Sequence, residues 1–226
     1  MDLDNGIAQI RNAEPWNALP EAAWSKLRKS ARLISVSKHQ VLFHQSEHGQ
    51  GVFIVTRGLM KLSKAIPQGK DTSIFLAQPG DTIGEQLLGV GTCYACRAQA
   101  LVDSTLVEIN AEWVVQAAQQ YPAFGWSWCR FLLERLRESE ERLLRHRFNL
   151  TRQRIGLFLK EVARHHARSL VNGEIELELP MTHELLGEMV SVSRQRVTTV
   201  LGEWAEAGII RYARNRIVLT KPELLC

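Results

Sequence analysis

The sequence predicts an α+β chain in three parts: an N-terminal antiparallel β-roll, one long helix, and a C-terminal helix-turn-helix with a β-hairpin wing. Three observations carry this. Eight short β-rich runs lie between Leu33 and Ile109, separated by polar or glycine-bearing turns. From Ala123 to about Phe148 the pattern is helical and no proline interrupts it. From Thr182 to Ala207 two short helical patterns flank a Ser-Val-Ser turn.

In chain order, Pro20 to Ala31 predicts a short amphipathic helix with proline near its first turn. The eight runs follow: LISV, QVLF, GVFIVTRG, LMKLSKAI, DTSIFLAQ, DTIGE, YACRAQAL and STLVEI, with turns at EHGQG, PQGK, QPGD and LGVGT. Gly51, Gly58, Gly80 and Gly84 fall at corners that call for a permissive φ. AEWVVQAAQQY reads as a helix ended by Pro122, which disfavours helix at the residue before it. In the long helix Phe124, Trp128, Leu132, Leu136, Ser139 and Leu143 recur at spacings of 4, 4, 4, 3 and 4, one narrow and mostly apolar row on an otherwise charged surface. Such a row suits pairing with a second copy of the chain. Leu150 to Ala167 predicts another helix, Asn172-Gly173 a hairpin turn, and Ile209 to Thr220 a second hairpin turning at Arg214-Asn215. These elements suggest residues 1–121 as the roll with its N-terminal helix, 122–149 as pairing helix and hinge, and 150–226 as the helix-turn-helix module.

Composition narrows the class. The 226 residues and 45% hydrophobic content support substantial cores. No run reaches the roughly 18 apolar residues of a membrane span, and MDLDNGIAQIRN lacks the order of a secretory signal. Four scattered cysteines do not make a disulfide scaffold, so the expected location is the cytoplasm. The formal charge of +4 is uneven. Residues 1–143 hold 15 basic and 15 acidic side chains, whereas 144–226 hold 13 and 9. The positive excess therefore sits with the helix-turn-helix, as phosphate binding would require.

In that module Leu185, Leu186, Met189 and Val190 form the inner face of the first helix. Ser193 is a natural N-cap for the second, whose inner face is Val197, Val200, Leu201 and Trp204. Its other face opens with Arg194, Gln195, Arg196 and Thr199, side-chain types that read base edges in a major groove. Arg211, Arg214 and Arg216 on the wing could reach phosphates beside it. No phosphate loop, serine nucleophile elbow or HExxH motif is present, so an enzyme is not expected.

The order of roll, pairing helix, reading helix and basic wing resembles the catabolite-activator / fumarate-nitrate-regulator (Crp/Fnr) family of bacterial transcription regulators. The most specific pieces are Gly80-Asp81-Thr82-Ile83-Gly84-Glu85 and Val192-Ser193-Arg194-Gln195-Arg196-Val197. The resemblance implies a cyclic-nucleotide-binding-like jelly roll and a homodimer on double-stranded DNA with an inverted-repeat operator. It implies an effector in the roll and contact with RNA polymerase if the protein is an activator. Thr182, His183, Ser193, Arg194, Gln195, Arg196, Thr199, Arg214 and Arg216 are the expected DNA-facing set. Arg194 matches a guanine-reading arginine; Gln195 stands where catabolite activators carry Glu, and Thr199 where they carry a second reading arginine. Phe124, Trp128, Leu132, Leu136 and Leu143 are the expected dimer contacts.

The roll departs from the pattern. Gly84 and Glu85 match the pair that holds a ribose, but Tyr94 and Ala95 stand where an Arg and a Ser would hold the cyclic phosphate. Arg97 lies at odd spacing from Tyr94, on the opposite face of an expected strand. Arg135 and Ser139 match helix positions that face the base. Classical cyclic AMP binding is therefore not expected, which leaves a different small effector or effector-independent binding. No cofactor signature appears. The cysteine cluster of iron–sulfur members is missing, since no Cys precedes residue 93. Haem is disfavoured, although seven histidines leave possible ligands, and Cys93-x-x-Cys96 leaves a redox pair open.

Overall fold

A computed structural model describes residues 2–65, 71–89, 92–148, 150–165, 167–170, 172–177, 182–213 and 216–225. The expected turns at Pro67 to Lys70 and at Arg214-Asn215 and the hinge residue Asn149 lie outside the described residues. The chain forms two compact units, Met1–Arg137 and Glu138–Cys226.

The first unit opens with α1 (Leu3–Ile10), N-capped by Asp2, whose carboxylate accepts the Asn5 amide at 2.9 Å. Then come α2 (Glu21–Ser30) and eight strands. These are β1 (Ala31–Val36), β2 (Val41–Phe43), β3 (Gly51–Arg57), β4 (Met60–Ala65), β5 (Asp71–Ala77), β6 (Thr82–Ile83), β7 (Arg97–Ala100) and β8 (Ser104–Asn110). All eight expected runs become strands. One differs at its start: β7 begins at Arg97, because Tyr94, Ala95 and Cys96 form a bend outside the ladder.

The strands form two antiparallel sheets, ordered β1-β8-β3-β6 and β2-β7-β4-β5. Side chains from both sheets share one core around Phe53, Val55, Leu106, Met60, Leu62 and Ala98. The other face of the first sheet carries Val52, Ile54, Val107 and Ile109 into a second core. Helices close that core, including α3 (Ala111–Gln120) and the start of α4 (Pro122–Phe148). This explains why β3 reads as an uninterrupted apolar run: both its faces are covered.

Trp16, before α2, is fully buried against Phe124 and Trp128, with ring centroids 5.8 and 5.6 Å away. Its indole N–H donates to Thr82 Oγ1 at 3.0 Å. Gly58, Gly80 and Gly84 do adopt positive φ. Gly51 does not; there a Cβ would collide with the Glu108 side chain, so close approach is what requires glycine.

The row expected to pair two copies needs correcting at one end. Phe124 and Trp128 are buried in the core of their own unit, beside Trp16. Leu132, Leu136 and Leu143 are 45%, 55% and 70% exposed, and Leu133 and Leu144 are also exposed. The physical reason is helical drift. From Phe124 to Leu136 the row runs at spacing four and turns by about 40° per step, since 3.6 residues complete a turn. It therefore passes from the face on the roll to the open face. Cys129, Leu136 and Leu143 are seven apart, and Cys129 is exposed. The open stripe follows that heptad spacing.

The second unit contains α5 (Thr151–His165), β9 (Ala167–Ser169), β10 (Ile175–Leu177), α6 (His183–Val190), α7 (Arg194–Glu206), β11 (Ile210–Ala213) and β12 (Arg216–Leu219). The two hairpins join into one sheet, ordered β11-β12-β10-β9, because β10 pairs with β12. Leu186, Val197, Leu201, Trp204, Ile155, Leu159 and Leu219 are buried in this unit. The C-terminal segment adds Leu225, also fully buried.

Candidate nucleic-acid interface and roll interior

The two helices of the reading module start and stop where their sequence dictates. The Thr182 hydroxyl caps α6 by accepting the Leu185 amide at 3.0 Å. That helix ends at Ser191, which takes the left-handed conformation at φ 53°. Ser193 then caps α7, its hydroxyl accepting the Arg196 amide at 3.3 Å. The turn is tight enough that a Cβ on Gly187 would lie 2.5 Å from Val192 O. Arg154 on α5 donates from Nη1 to Val190 O at 3.1 Å, satisfying a carbonyl at the end of α6. Gly208, at φ 64°, follows the end of α7.

On α7, Val197, Val200, Leu201 and Trp204 are buried. Arg194, Gln195, Arg196, Thr198 and Thr199 are exposed. Gln195, Thr199 and Gly202 are four and then three residues apart, so they share the face opposite the core. Thr198 and Thr199 donate their hydroxyls back to Arg194 O and Gln195 O, at 3.0 and 3.1 Å. That leaves their methyl groups, and the oxygen lone pairs of Thr199, for a neighbour. His183 joins the Arg194 flank: its Nδ1 lies 2.8 Å from Thr198 Oγ1 and its ring meets Tyr212 edge-on at 5.5 Å. Burial, and then the Arg194 charge, hold the His183 pKa below its ordinary value.

The wing is less cationic than its sequence suggests. Arg216 is ion-paired with Glu176, and Arg211 makes a bidentate pair with Glu174 at 2.7 and 2.6 Å. Arg214 lies outside the described residues.

In the roll, Gly84 (φ 81°) leads into a 3-10 turn that begins at Glu85. Tyr94 is buried, and its ring stacks on Phe43 with centroids 3.9 Å apart. Its hydroxyl donates to Gly51 O at 3.0 Å. The ring lies so close over Gly49 that a Cβ there would collide with it; a Cβ on Gly84 would lie 3.2 Å from it. Burial pushes the Tyr94 pKa up to about 12. Ala95 sits beside it in the bend, half-buried.

Arg135 reaches the roll from α4. Its Nη2 donates to Thr82 O at 2.6 Å, and its guanidinium lies 4.1 Å from the Phe75 ring centre and 5.2 Å from that of Phe131. Glu85 Oε1 accepts from Gln86 Nε2 at 3.2 Å, while Glu85 Oε2 has no hydrogen-bond partner among the described residues. Burial raises the Glu85 pKa, against the pull of the Arg135 charge. Ser139 lies one helical turn further along α4, in the second unit. Arg97 pairs with Asp71 at 3.0 Å. The two cysteines of the C-x-x-C differ. Cys96 is buried, which pushes its thiol up to about 11, whereas Cys93 is half-buried with Sγ 3.5 Å from His48 Nδ1.

Comparison with known proteins agrees with this arrangement. Residues 33–121 match the cyclic nucleotide-binding domain, and residues 129–226 match the Crp-like helix-turn-helix domain. The chain is 24% identical over 184 residues to the cyclic AMP receptor protein of Thermus thermophilus, covering 81% of this chain and 82% of that one. It is 21% identical over 216 residues to the CRP-like cAMP-activated global transcriptional regulator of Mycobacterium tuberculosis, covering 96% of each. The structure of FixK2 from Bradyrhizobium japonicum has the same fold, with a TM-score of 0.76 and 22% identity over 86% of this chain and 95% of that one. Roll, long helix and capped reading helix occur in one chain in that order, and the chain belongs to the Crp/Fnr family of transcription regulators, with a helix-turn-helix DNA-binding domain.

Proposed function

We propose that the protein is a cytoplasmic homodimer that binds an inverted-repeat operator and is controlled by a small effector in its roll that is not cyclic AMP. Residues 1–121 serve as sensor, 122–149 as pairing helix and hinge, and 150–226 as the DNA-binding module. The observation that carries DNA reading is α7, whose capped N-terminal turns present Arg194, Gln195 and Thr199 outward. Arg194 suits guanine O6 and N7; Gln195, which both donates and accepts, suits adenine. The exposed stripe of Leu132, Leu136 and Leu143 supports pairing of two copies. An activating role would add a contact with RNA polymerase.

A specific observation favours a second reading, effector-independent binding. Tyr94 fills space where the family resemblance implies a phosphate-holding arginine, and its stacking and hydrogen bond are internal. A phosphate there would lack its cation, and burying such a charge unpaired is costly.

Mass spectrometry under native conditions tests the assembly and its ligand together. The proposal expects the mass of two chains, with or without a retained small molecule. It also expects DNA affinity unchanged by added cyclic AMP. A monomer at micromolar concentration, or a clear gain in affinity with cyclic AMP, would contradict it.

A further inference from the structure

Five glycines of the described chain lie inside α-helices, and four have a steric reason visible in their own fold. A Cβ on Gly6 would come within 2.9 Å of Val107 Cγ2, one on Gly125 within 2.8 Å of Ala118 O, and one on Gly187 within 2.5 Å of Val192 O. One on Gly156 would collide with Leu225 O. Gly202 is different: a Cβ there would meet nothing within 4 Å, and its φ is not positive. It sits in the ninth position of the 13-residue α7, where glycine weakens a helix and alanine would fit. Packing among the described residues gives no reason for it.

Its position supplies one. Gly202 lies on the face of Gln195 and Thr199, about 10 Å along the axis from Gln195. Glu206 follows on that face, exposed at the last turn, so a carboxylate marks where phosphate contact along it ends.

We infer that Gly202 is the point of closest approach between α7 and the sugar–phosphate wall of the operator groove, its missing side chain letting the helix sit deep enough for Arg194 and Gln195 to reach base edges. This rests on the DNA-reading assignment above. It adds a requirement for empty volume, set by the shape of DNA rather than by base identity. A Cβ at this point lifts the middle of the helix, and the base contacts nearer its N-terminus weaken with it.

The test uses Gly202→Ala in the full-length protein, with wild type and Arg194→Ala alongside. The probes are a duplex enriched by wild type from a random library of about 30 base pairs, and a scrambled duplex of the same composition, at fixed salt. Alanine is the better helix former, so the melting temperature should rise by about 2 °C. Preference for the enriched over the scrambled duplex should fall roughly tenfold, a cost typical of adding a methyl group to a filled interface. The two readouts move in opposite directions, which a structural role for Gly202 cannot produce. Unchanged preference in Gly202→Ala, while Arg194→Ala loses it, would overturn the inference and leave the DNA reading standing. A lowered melting temperature or a changed oligomeric mass would also overturn it, by revealing a partner in the fold or in a second copy. Failure of wild type to enrich any duplex would overturn the parent reading and this one with it.

Discussion

The Tyr94 ring stacks on Phe43 with centroids 3.9 Å apart, and its hydroxyl closes on the backbone carbonyl of Gly51. The side chain that stands where the family resemblance implies a phosphate-holding arginine is thus a structural part of the roll. Phe53 extends the cluster, 5.7 Å from Phe43.

Tyr94→Ala should destabilise the protein by about 3 kcal/mol, because it opens a cavity between Phe43 and the Gly49–Gly51 strand entry. Tyr94→Phe keeps the stack and should cost about 1 kcal/mol, the loss of one buried hydrogen bond. Chemical denaturation at neutral pH separates the two. Equal, negligible losses would show that the ring does not hold the roll together.

Glu85 gives the roll a pH signature. Its folded pKa lies above the ordinary carboxylate value, so folding favours the protonated form. The associated stability is fully present below about pH 4.5 and is lost as pH rises through the folded pKa. Glu85→Gln, which stays neutral, should be more stable than wild type at pH 7 and no more stable at pH 4. Denaturation at both pH values checks this, and a gain independent of pH would contradict the burial argument.

Arginines of the DNA-binding unit should differ sharply. Arg194→Ala should lose about 1–3 kcal/mol per half-site against the preferred duplex. Arg216 is already paired with Glu176, so Arg216→Ala should change affinity by less than about threefold. Fluorescence anisotropy at fixed salt measures both. A larger loss for Arg216→Ala than for Arg194→Ala would mean that the wing, rather than the reading helix, dominates binding.

The open stripe on α4 makes a prediction about pairing. Cys129 shares a heptad position with Leu136 and Leu143, so two parallel copies would bring their Cys129 side chains together. A variant retaining only Cys129 should cross-link to a dimer on mild oxidation, and Leu136→Glu should be a monomer by sedimentation. Phe124→Ala should instead behave as a core mutation, losing about 3 kcal/mol or more of stability. Cross-linking that persists in Leu136→Glu would place the interface elsewhere.

Much of this was legible in the residues. Eight β-rich runs became eight strands because glycine and polar turns punctuate β-rich sequence, a local signal. The caps Thr182 and Ser193 and the buried row Val197, Val200, Leu201 and Trp204 are local as well. What escaped depends on distant contacts. Nothing near Trp16 announces that it packs on Phe124 and Trp128, and those two aromatics share a spacing with the exposed leucines. Arg211 and Arg216 look free in sequence, but their partners Glu174 and Glu176 lie about 40 residues away. The open space beside Gly202 could not be seen until its helix had neighbours.

The most direct test of the central claim is selection of duplexes from a random library by the wild-type protein, repeated with Arg194→Ala. The account predicts one enriched inverted repeat, its half-site centres about 34 Å or one DNA turn apart, with guanine at the position that Arg194→Ala no longer selects. Enrichment of a single unrepeated site, or the same guanine preference in Arg194→Ala, would contradict it.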